Sequence, residues 1–118
     1  MTPFGEKLRG LRAERGETLQ QMAAALGVSA AYLSALEHGK RGRPNRRLVH
    51  NICQHLGIIW DDAEELQRLA DVSHPRVVVD TAGLSSTATL LANRLSERIG
   101  DLSEERLAEL LQQIEQEP

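Results

Sequence analysis

The chain has 118 residues and a formal net charge of −3, and it is 41% hydrophobic but only 3% aromatic. That length suits one compact domain, or a small domain with an oligomerisation tail, built on an aliphatic core. With Phe4, Tyr32 and Trp60 as the sole aromatics, base stacking on an aromatic platform is not expected, and the single Cys53 excludes an intramolecular disulfide or multi-thiolate metal site.

Thr2-Pro3 reads as a cap followed by proline at the first helical position. Phe4, Leu8 and Leu11 then recur at helical spacing, which predicts a first helix to about Arg15, ended by Gly16. Thr18 caps a second helix with Leu19, Met22, Ala23 and Leu26 inward, and Gly27 ends it. Val28 packs inward and Ser29 caps a third helix to about His38, with Leu33 and Leu36 facing the core and small or polar groups opposite. Gly39 stops that helix and Lys40, Arg41 and Arg43 follow at once. Two short helices joined by about 3–4 residues, with cations at the exit, form the pattern of a helix-turn-helix DNA reader.

Pro44-Asn45 opens a fourth helix whose buried face is Leu48, Val49, Ile52, Cys53 and Leu56, closed by Gly57. Ile58, Ile59 and Trp60 are expected to cover the end of the core, and Asp61 or Asp62 to cap a fifth helix with Leu66, Leu69 and Ala70 inward. Ser73-His74-Pro75 breaks the pattern, dividing a first domain over residues 1–72 from a second segment over 73–118. Arg76 to Asp80, RVVVD, is β-branched and reads as a short strand that either pairs with its symmetry mate or bridges the core and a C-terminal hairpin. Gly83 turns the chain, and Ser85 or Ser86 starts a sixth helix with Ala88, Leu91, Ala92, Leu95 and Ile99 in line. Gly100 ends it, and Ser103 caps a seventh helix with Leu107, Leu110, Leu111 and Ile114 as its stripe. The fold class is therefore all-α: a five-helix domain, a short β-strand and a C-terminal helical hairpin.

The charge is unevenly spread. Residues 1–60 hold nine Lys and Arg against four acids, a balance of +5, whereas residues 61–118 hold five arginines against thirteen acids, a balance of −8. The densest stretch, Lys40 to Arg47, KRGRPNRR, has five cations in eight residues and no acid. Alone it reads as a solvated loop; directly after a recognition helix it reads as a phosphate neutraliser. The acidic tail is repelled by phosphates. Its hairpin either packs onto the helix-turn-helix core or forms a homodimer interface, and the second is favoured because one helix-turn-helix covers too few base pairs for tight binding. The dimerisation residues would be Val77, Val79, Leu91, Leu95, Ile99, Leu107, Leu110, Leu111 and Ile114.

Other chemistry is sparse. His50 and His55 are five apart on different helix faces, which is not metal-ligand spacing. Cys53 sits on an apolar stripe as a small hydrophobe, with a redox switch the less favoured alternative. His38 either touches phosphate or caps its helix, and the sequence leaves both open. Without a Gly-rich phosphate loop, nucleophile elbow or paired acids, no enzyme activity, cofactor or metal is expected. No sensory domain fits in the residues left, so no small-molecule effector is expected either. The N-terminus runs straight into a charged helix and no apolar run approaches a membrane span, so the expectation is a cytoplasmic protein with no membrane partner.

Residues 4 to about 60 resemble the XRE family of helix-turn-helix regulators, which includes the Cro and lambdoid phage repressors. The elements that carry the resemblance are Leu8-Arg9-x-Leu11-Arg12, Arg15-Gly16, Thr18-Leu19, Met22-Ala23, Leu26-Gly27-Val28-Ser29, Tyr32-Leu33-Ser34, Leu36-Glu37-x-Gly39-Lys40-Arg41, Pro44 and Leu56-Gly57-Ile58. The resemblance implies a lambda-repressor-like domain with the helix from Ser29 to about His38 in the major groove. Ser29, Ala30, Ala31, Tyr32, Ser34 and Ala35 would face the bases.

Relatives often hold Gln or Arg there for bidentate base contacts, whereas Ala30, Ala31 and Ala35 offer only apolar contact, for example with a thymine methyl. More of the specificity then falls to Tyr32, Ser34, His38, the basic loop and DNA shape. Leu19 stands where many relatives have a phosphate-contacting Gln, a role left to Gln20 or Gln21. Thr18, Gln20, Lys40, Arg41, Arg43, Asn45, Arg46 and Arg47 complete the implied DNA contacts, and Arg12 and Glu37 stand where relatives pair an Arg of helix one with a Glu ending the recognition helix. The combined reading is a regulator of double-stranded DNA, a homodimeric repressor on a palindromic operator. The alternatives are an antitoxin with autoregulatory DNA binding and a protein-interaction adaptor that binds no DNA.

Overall fold

Capping sets the element boundaries in the computed structural model, which describes all residues from Met1 to Pro118. Helices α1 (Pro3–Arg15), α2 (Leu19–Leu26), α3 (Ala30–Glu37), α4 (Arg46–Leu56), α6 (Ser86–Arg98) and α7 (Glu104–Gln116) each begin behind a Ser, Thr or Asn whose side chain accepts an amide of the first turn. At α2 the cap is reciprocal: Thr18 Oγ1 accepts from the Gln21 amide at 3.0 Å, and Gln21 Oε1 accepts from the Thr18 amide at 2.9 Å. Gly27 ends α2 with φ 73°, a left-handed turn that only glycine enters without strain. The chain leaves it along α3, turned by 110° from α2.

Two units form: Met1–Val77 and Val78–Pro118. In the first, α1 packs on α3 and α5 (Trp60–Asp71), α4 packs on α2 and α5, and α2 packs on α3. Their shared core is aliphatic apart from Phe4: Leu8, Met22, Leu33, Leu36, Val49, Ile52 and Leu66 are all buried. The α1–α3 crossing is a tight one. A Cβ on Gly5 would stand 2.1 Å from the Glu37 carbonyl oxygen, so the two backbones touch where any other residue would push them apart. The Thr2 amide donates to that same Glu37 carbonyl at 3.1 Å. At the other end of the unit, buried Ser73 Oγ accepts from the Phe4 amide at 2.9 Å and donates to the Leu69 carbonyl, which staples the chain beyond α5 to the start of α1.

Three expectations are corrected. No strand forms over 76–80: Val77, Val78 and Val79 are 71%, 91% and 64% exposed. β-branched side chains favour a pleated backbone only when a neighbouring strand takes up the ladder, and this chain supplies none. Asp80 instead accepts from the Ala82 amide at 2.9 Å, opening the turn that leads to α6. Of the trio expected to cover the core, only Ile58 packs against it; Ile59 and Trp60 are 65% and 82% exposed. Helix α5 begins at Trp60 rather than behind Asp61 or Asp62, with Trp60 at φ 53° and no side-chain cap. The two aspartates lie in its first turn, where the helix dipole favours them.

In the second unit, α6 and α7 are linked by a 3-10 turn over Ile99–Asp101, and neither helix has a buried residue. Leu91, Ile99, Leu111 and Ile114 are at least half exposed, while Leu95, Leu107 and Leu110 are half-buried.

The α1–α3 contact is tested by paired substitutions on one helix. Gly5→Ala should cost about 3 kcal/mol or more by overpacking, read as a lowered melting temperature. Gly10→Ala, which meets nothing within 4 Å, should instead stabilise the protein by about 0.5–1 kcal/mol.

Candidate nucleic-acid interface

Helix α3 presents a short and mostly apolar outer face. Ala31 and the cap residue Ser29 are exposed, whereas Ala30, Tyr32, Ser34 and Ala35 are half-buried, with Ala30 and Tyr32 leaning on the core. Ser29 Oγ accepts from the Tyr32 amide at 3.0 Å, so its hydroxyl has structural work of its own. His38 turns back along the helix, its Nδ1 2.9 Å from the Ser34 carbonyl. A carbonyl only accepts, so Nδ1 carries the proton and His38 closes the C-terminus of α3, with Nε2 left over. That favours the capping alternative for this side chain.

The start of α2 lies one turn of chain earlier. Thr18 and Gln21 bond each other there, which leaves Gln20 as the exposed and unengaged glutamine. Beyond α3, Lys40, Arg41, Arg46 and Arg47 are exposed and form no ion pair with any acid. Arg43 differs. Its Nη1 donates to the Asp71 carbonyl at 3.3 Å and stands 3.8 Å from the Asp71 carboxylate, which ties the loop to the end of α5. Asn45 caps α4 through Oδ1, 2.8 Å from the Leu48 amide. Of the residues assigned to DNA contact, the structure thus leaves four cations and Gln20 free, occupies Thr18, Ser29, His38 and Asn45 with local bonds, and ties Arg43 to Asp71.

Behind this face, Arg12 Nη2 bonds both carboxylate oxygens of Glu37, at 2.8 and 3.2 Å. Glu37 is 2% exposed, and Arg12 Nε is buried with no partner, so the pair is largely desolvated. A second tie was invisible in the sequence: His55 Nε2 lies 2.6 Å from Glu17 Oε1, and Arg15 Nε lies 3.3 Å from Glu17 Oε2. It joins the α1–α2 connection to the last turn of α4 across 38 residues, a separation that no local pattern signals. His50 is exposed and takes no part. Burial pushes the Cys53 thiol up, which lowers its thiolate population and disfavours the redox alternative. No group of three or more His, Cys, Asp or Glu side chains gathers to hold a metal ion.

Comparison with known proteins bears on the same region. A family model described as a helix-turn-helix domain matches residues 3–69. The HTH-type transcriptional repressor RghR of Bacillus subtilis (strain 168) is 44% identical over 61 residues, 52% of this chain and 45% of that protein. RghRB of the same organism, described as an uncharacterized HTH-type transcriptional regulator, is 37% identical over 62 residues, again 52% and 45% of the two chains. The transcriptional regulator ClgR of Mycobacterium tuberculosis (strain ATCC 25618 / H37Rv) is 38% identical over 52 residues, 44% of this chain and 46% of that one. The chain thus spans less than half the length of these relatives. No solved structure matches it.

The ion pair behind α3 yields a direct test. Glu37→Ala leaves Arg12 buried and uncompensated and should cost about 3–5 kcal/mol in urea or thermal unfolding. An unchanged unfolding midpoint would show that Arg12 is not left buried and uncompensated when Glu37 is removed.

Proposed function

We propose that this chain, which belongs to the helix-turn-helix domain family, is a cytoplasmic transcriptional regulator that binds double-stranded DNA and acts as a homodimeric repressor. One observation carries the reading: Lys40 and Arg41 just beyond α3, and Arg46 and Arg47 at the start of α4, are exposed without acidic partners. A protein that carries 17 acids has every means to neutralise such a loop internally. Leaving it open suits a polyanion that releases its counterions when it binds.

In this mechanism α3 enters the major groove with Ser29, Ala31 and the edge of Tyr32 towards the bases. Side chains this short let the helix sit deep in the groove but offer few hydrogen bonds, so apolar contact with thymine methyls and the local shape of the duplex carry the discrimination. Gln20 and the α2 N-terminus take one backbone phosphate, and the four free cations take others. Arg43 acts at one remove, since its bond to the Asp71 carbonyl steadies the loop that presents its neighbours. No catalytic role is assigned.

The homodimer reading is supported by the second unit. Two 13-residue helices with no buried residue gain little from their own packing, and isolated helices shorter than about 12–15 residues are marginal in water. Their exposed stripe, including Leu91, Leu111 and Ile114, gives a second copy an apolar surface to cover. A two-fold dimer would read a palindromic operator with half-sites about one helical turn apart. The repressor assignment leans on the name of the B. subtilis relative RghR.

Salt dependence tests DNA binding. Affinity for duplex DNA should fall steeply with salt, and Arg46→Ala should reduce the log–log slope by about one unit. Salt-insensitive behaviour, or no binding to duplexes from the organism's own promoters, would favour a protein adaptor. For the dimer, sedimentation should report two copies per particle for the wild type and one for Ile114→Asp, with the melting transition of the first unit unchanged.

A further inference from the structure

We propose that the cleft between the loop after α3 and the segment after α5 is a second phosphate site, in which Lys40 and Arg76 grip a backbone phosphodiester of bound DNA. The inference rests on the DNA-binding reading and extends it to a part of the chain outside the helix-turn-helix.

The cleft is lined by Gly39, Lys40, Gly42, His74, Pro75 and Arg76. Its charged and polar side chains are two full cations and an imidazole; no acid lines it. Neither Lys40 nor Arg76 takes part in any ion pair, although the second half of the chain carries thirteen acids. Bringing like charges into one concavity without a counter-charge is unfavourable in the free protein, and an incoming anion relieves it. Gly42 contributes differently. Its φ of 81° is left-handed and nothing lies within 4 Å of where a Cβ would stand, which leaves room for a ligand to approach the backbone.

The cleft is built rather than fortuitous. Ser73 is 2% exposed and bonded to both the Phe4 amide and the Leu69 carbonyl, so the chain leaves α5 in one direction. Pro75 follows with its fixed φ and comes close to Gly39: a Cβ added there would lie 3.6 Å from Pro75 Cβ and 3.0 Å from Thr2 Cγ2. Arg43 and Asp71 bridge the same two segments a few residues away. Arg76 is therefore delivered beside Lys40 by docked backbone. Because Lys40 opens the row of free cations that continues through Arg41, Arg46 and Arg47, the phosphodiester of the same duplex is the anion that fits.

The test uses the full chain and a mixed-sequence DNA duplex several helical turns long. Arg76 is exposed and unpaired, so Arg76→Ala should keep the wild-type melting temperature. It should weaken binding about three- to tenfold near 0.1 M salt and lower the salt slope by about one unit, and Arg76→Lys should restore the slope. Arg46→Ala serves as the reference. If it lowers the slope while Arg76→Ala leaves slope and affinity untouched, the second site is overturned and the DNA-binding reading stands. If the wild type binds no duplex, both readings fall. Stabilisation of the wild type by inorganic phosphate over chloride at equal ionic strength, lost in Arg76→Ala with the DNA slope unchanged, would reassign the cleft to a free anion and overturn the proposal.

Discussion

Glu37 is where the first unit is fixed. Its carbonyl accepts the Thr2 amide, its backbone lies against Gly5, and its carboxylate holds Arg12. These three contacts belong to one residue at the end of α3, and all three partners lie in or beside α1. A buried ion pair on its own is weak evidence of stability, since the Coulomb gain is largely consumed by desolvation of both groups. What the pair adds is direction: Arg12 Nη2 is held by both carboxylate oxygens at once, which restricts its position, whereas an apolar contact at the same place would tolerate sliding. Placed at the last residue of α3, that direction sets how the outer face of the helix is presented.

The rest of the first unit depends on that constraint. With α3 pressed to backbone contact on α1, the side chains between them must be small or fully inserted, which is why Leu33 and Leu36 are buried and Gly5 has no substituent. Helices α4 and α5 then close the core, and the chain beyond α5 is drawn back to the start of α1 by Ser73. The N-terminus of α1, the C-terminus of α3 and the exit of α5 therefore converge on one corner. Lys40 and Arg76 line a cleft at that corner, brought there by the same packing that fixes α3.

What the sequence revealed divides by range. Most caps were readable because a cap and its amide are three residues apart: Thr2, Thr18, Ser29 and Ser103 bond as the spacing implied, Ser85 rather than Ser86 caps α6, and Asn45 takes a capping role at the position expected only to open α4. The buried stripes of α1 to α4 were readable because period 3.6 is local too. The local exception is α5, which starts at Trp60 without a side-chain cap rather than behind Asp61 or Asp62; the other failures are non-local. A strand over 76–80 needed a partner strand that valines alone do not provide. Trp60 looked like core by its chemistry, but a left-handed φ aims the chain so that it stands in solvent. His55 with Glu17, Arg43 with Asp71 and Ser73 with Phe4 join residues 38, 28 and 69 positions apart, and nothing periodic marks them. The Arg12 and Glu37 positions were singled out only through family resemblance, because their spacing of 25 has no meaning within a single helix.

The second unit poses the opposite problem, since its helices are locally well specified and globally unsupported. Ser85 and Ser103 cap them, and Arg94–Glu97 and Arg106–Glu109 pair along their surfaces at 3.2 and 3.3 Å. Exposed pairs of this kind are worth only a few tenths of a kcal/mol, so they do not replace a core. The apolar stripe is the larger resource: a fully covered Leu or Ile side chain returns roughly 1.5–3 kcal/mol. Several such residues stand open in one copy, enough to turn marginal helices into stable ones when a matching face covers them. The acids have a separate consequence. Residues 78–118 hold three arginines against eight acids, a balance of −5, which makes the helices of two copies repel one another except where apolar contact outweighs the charge, and repel other anions as well. An apolar face set in an acidic surface is therefore selective by construction: only a surface that fits closely enough to bury the stripe repays the charge repulsion, so loose aggregation is disfavoured.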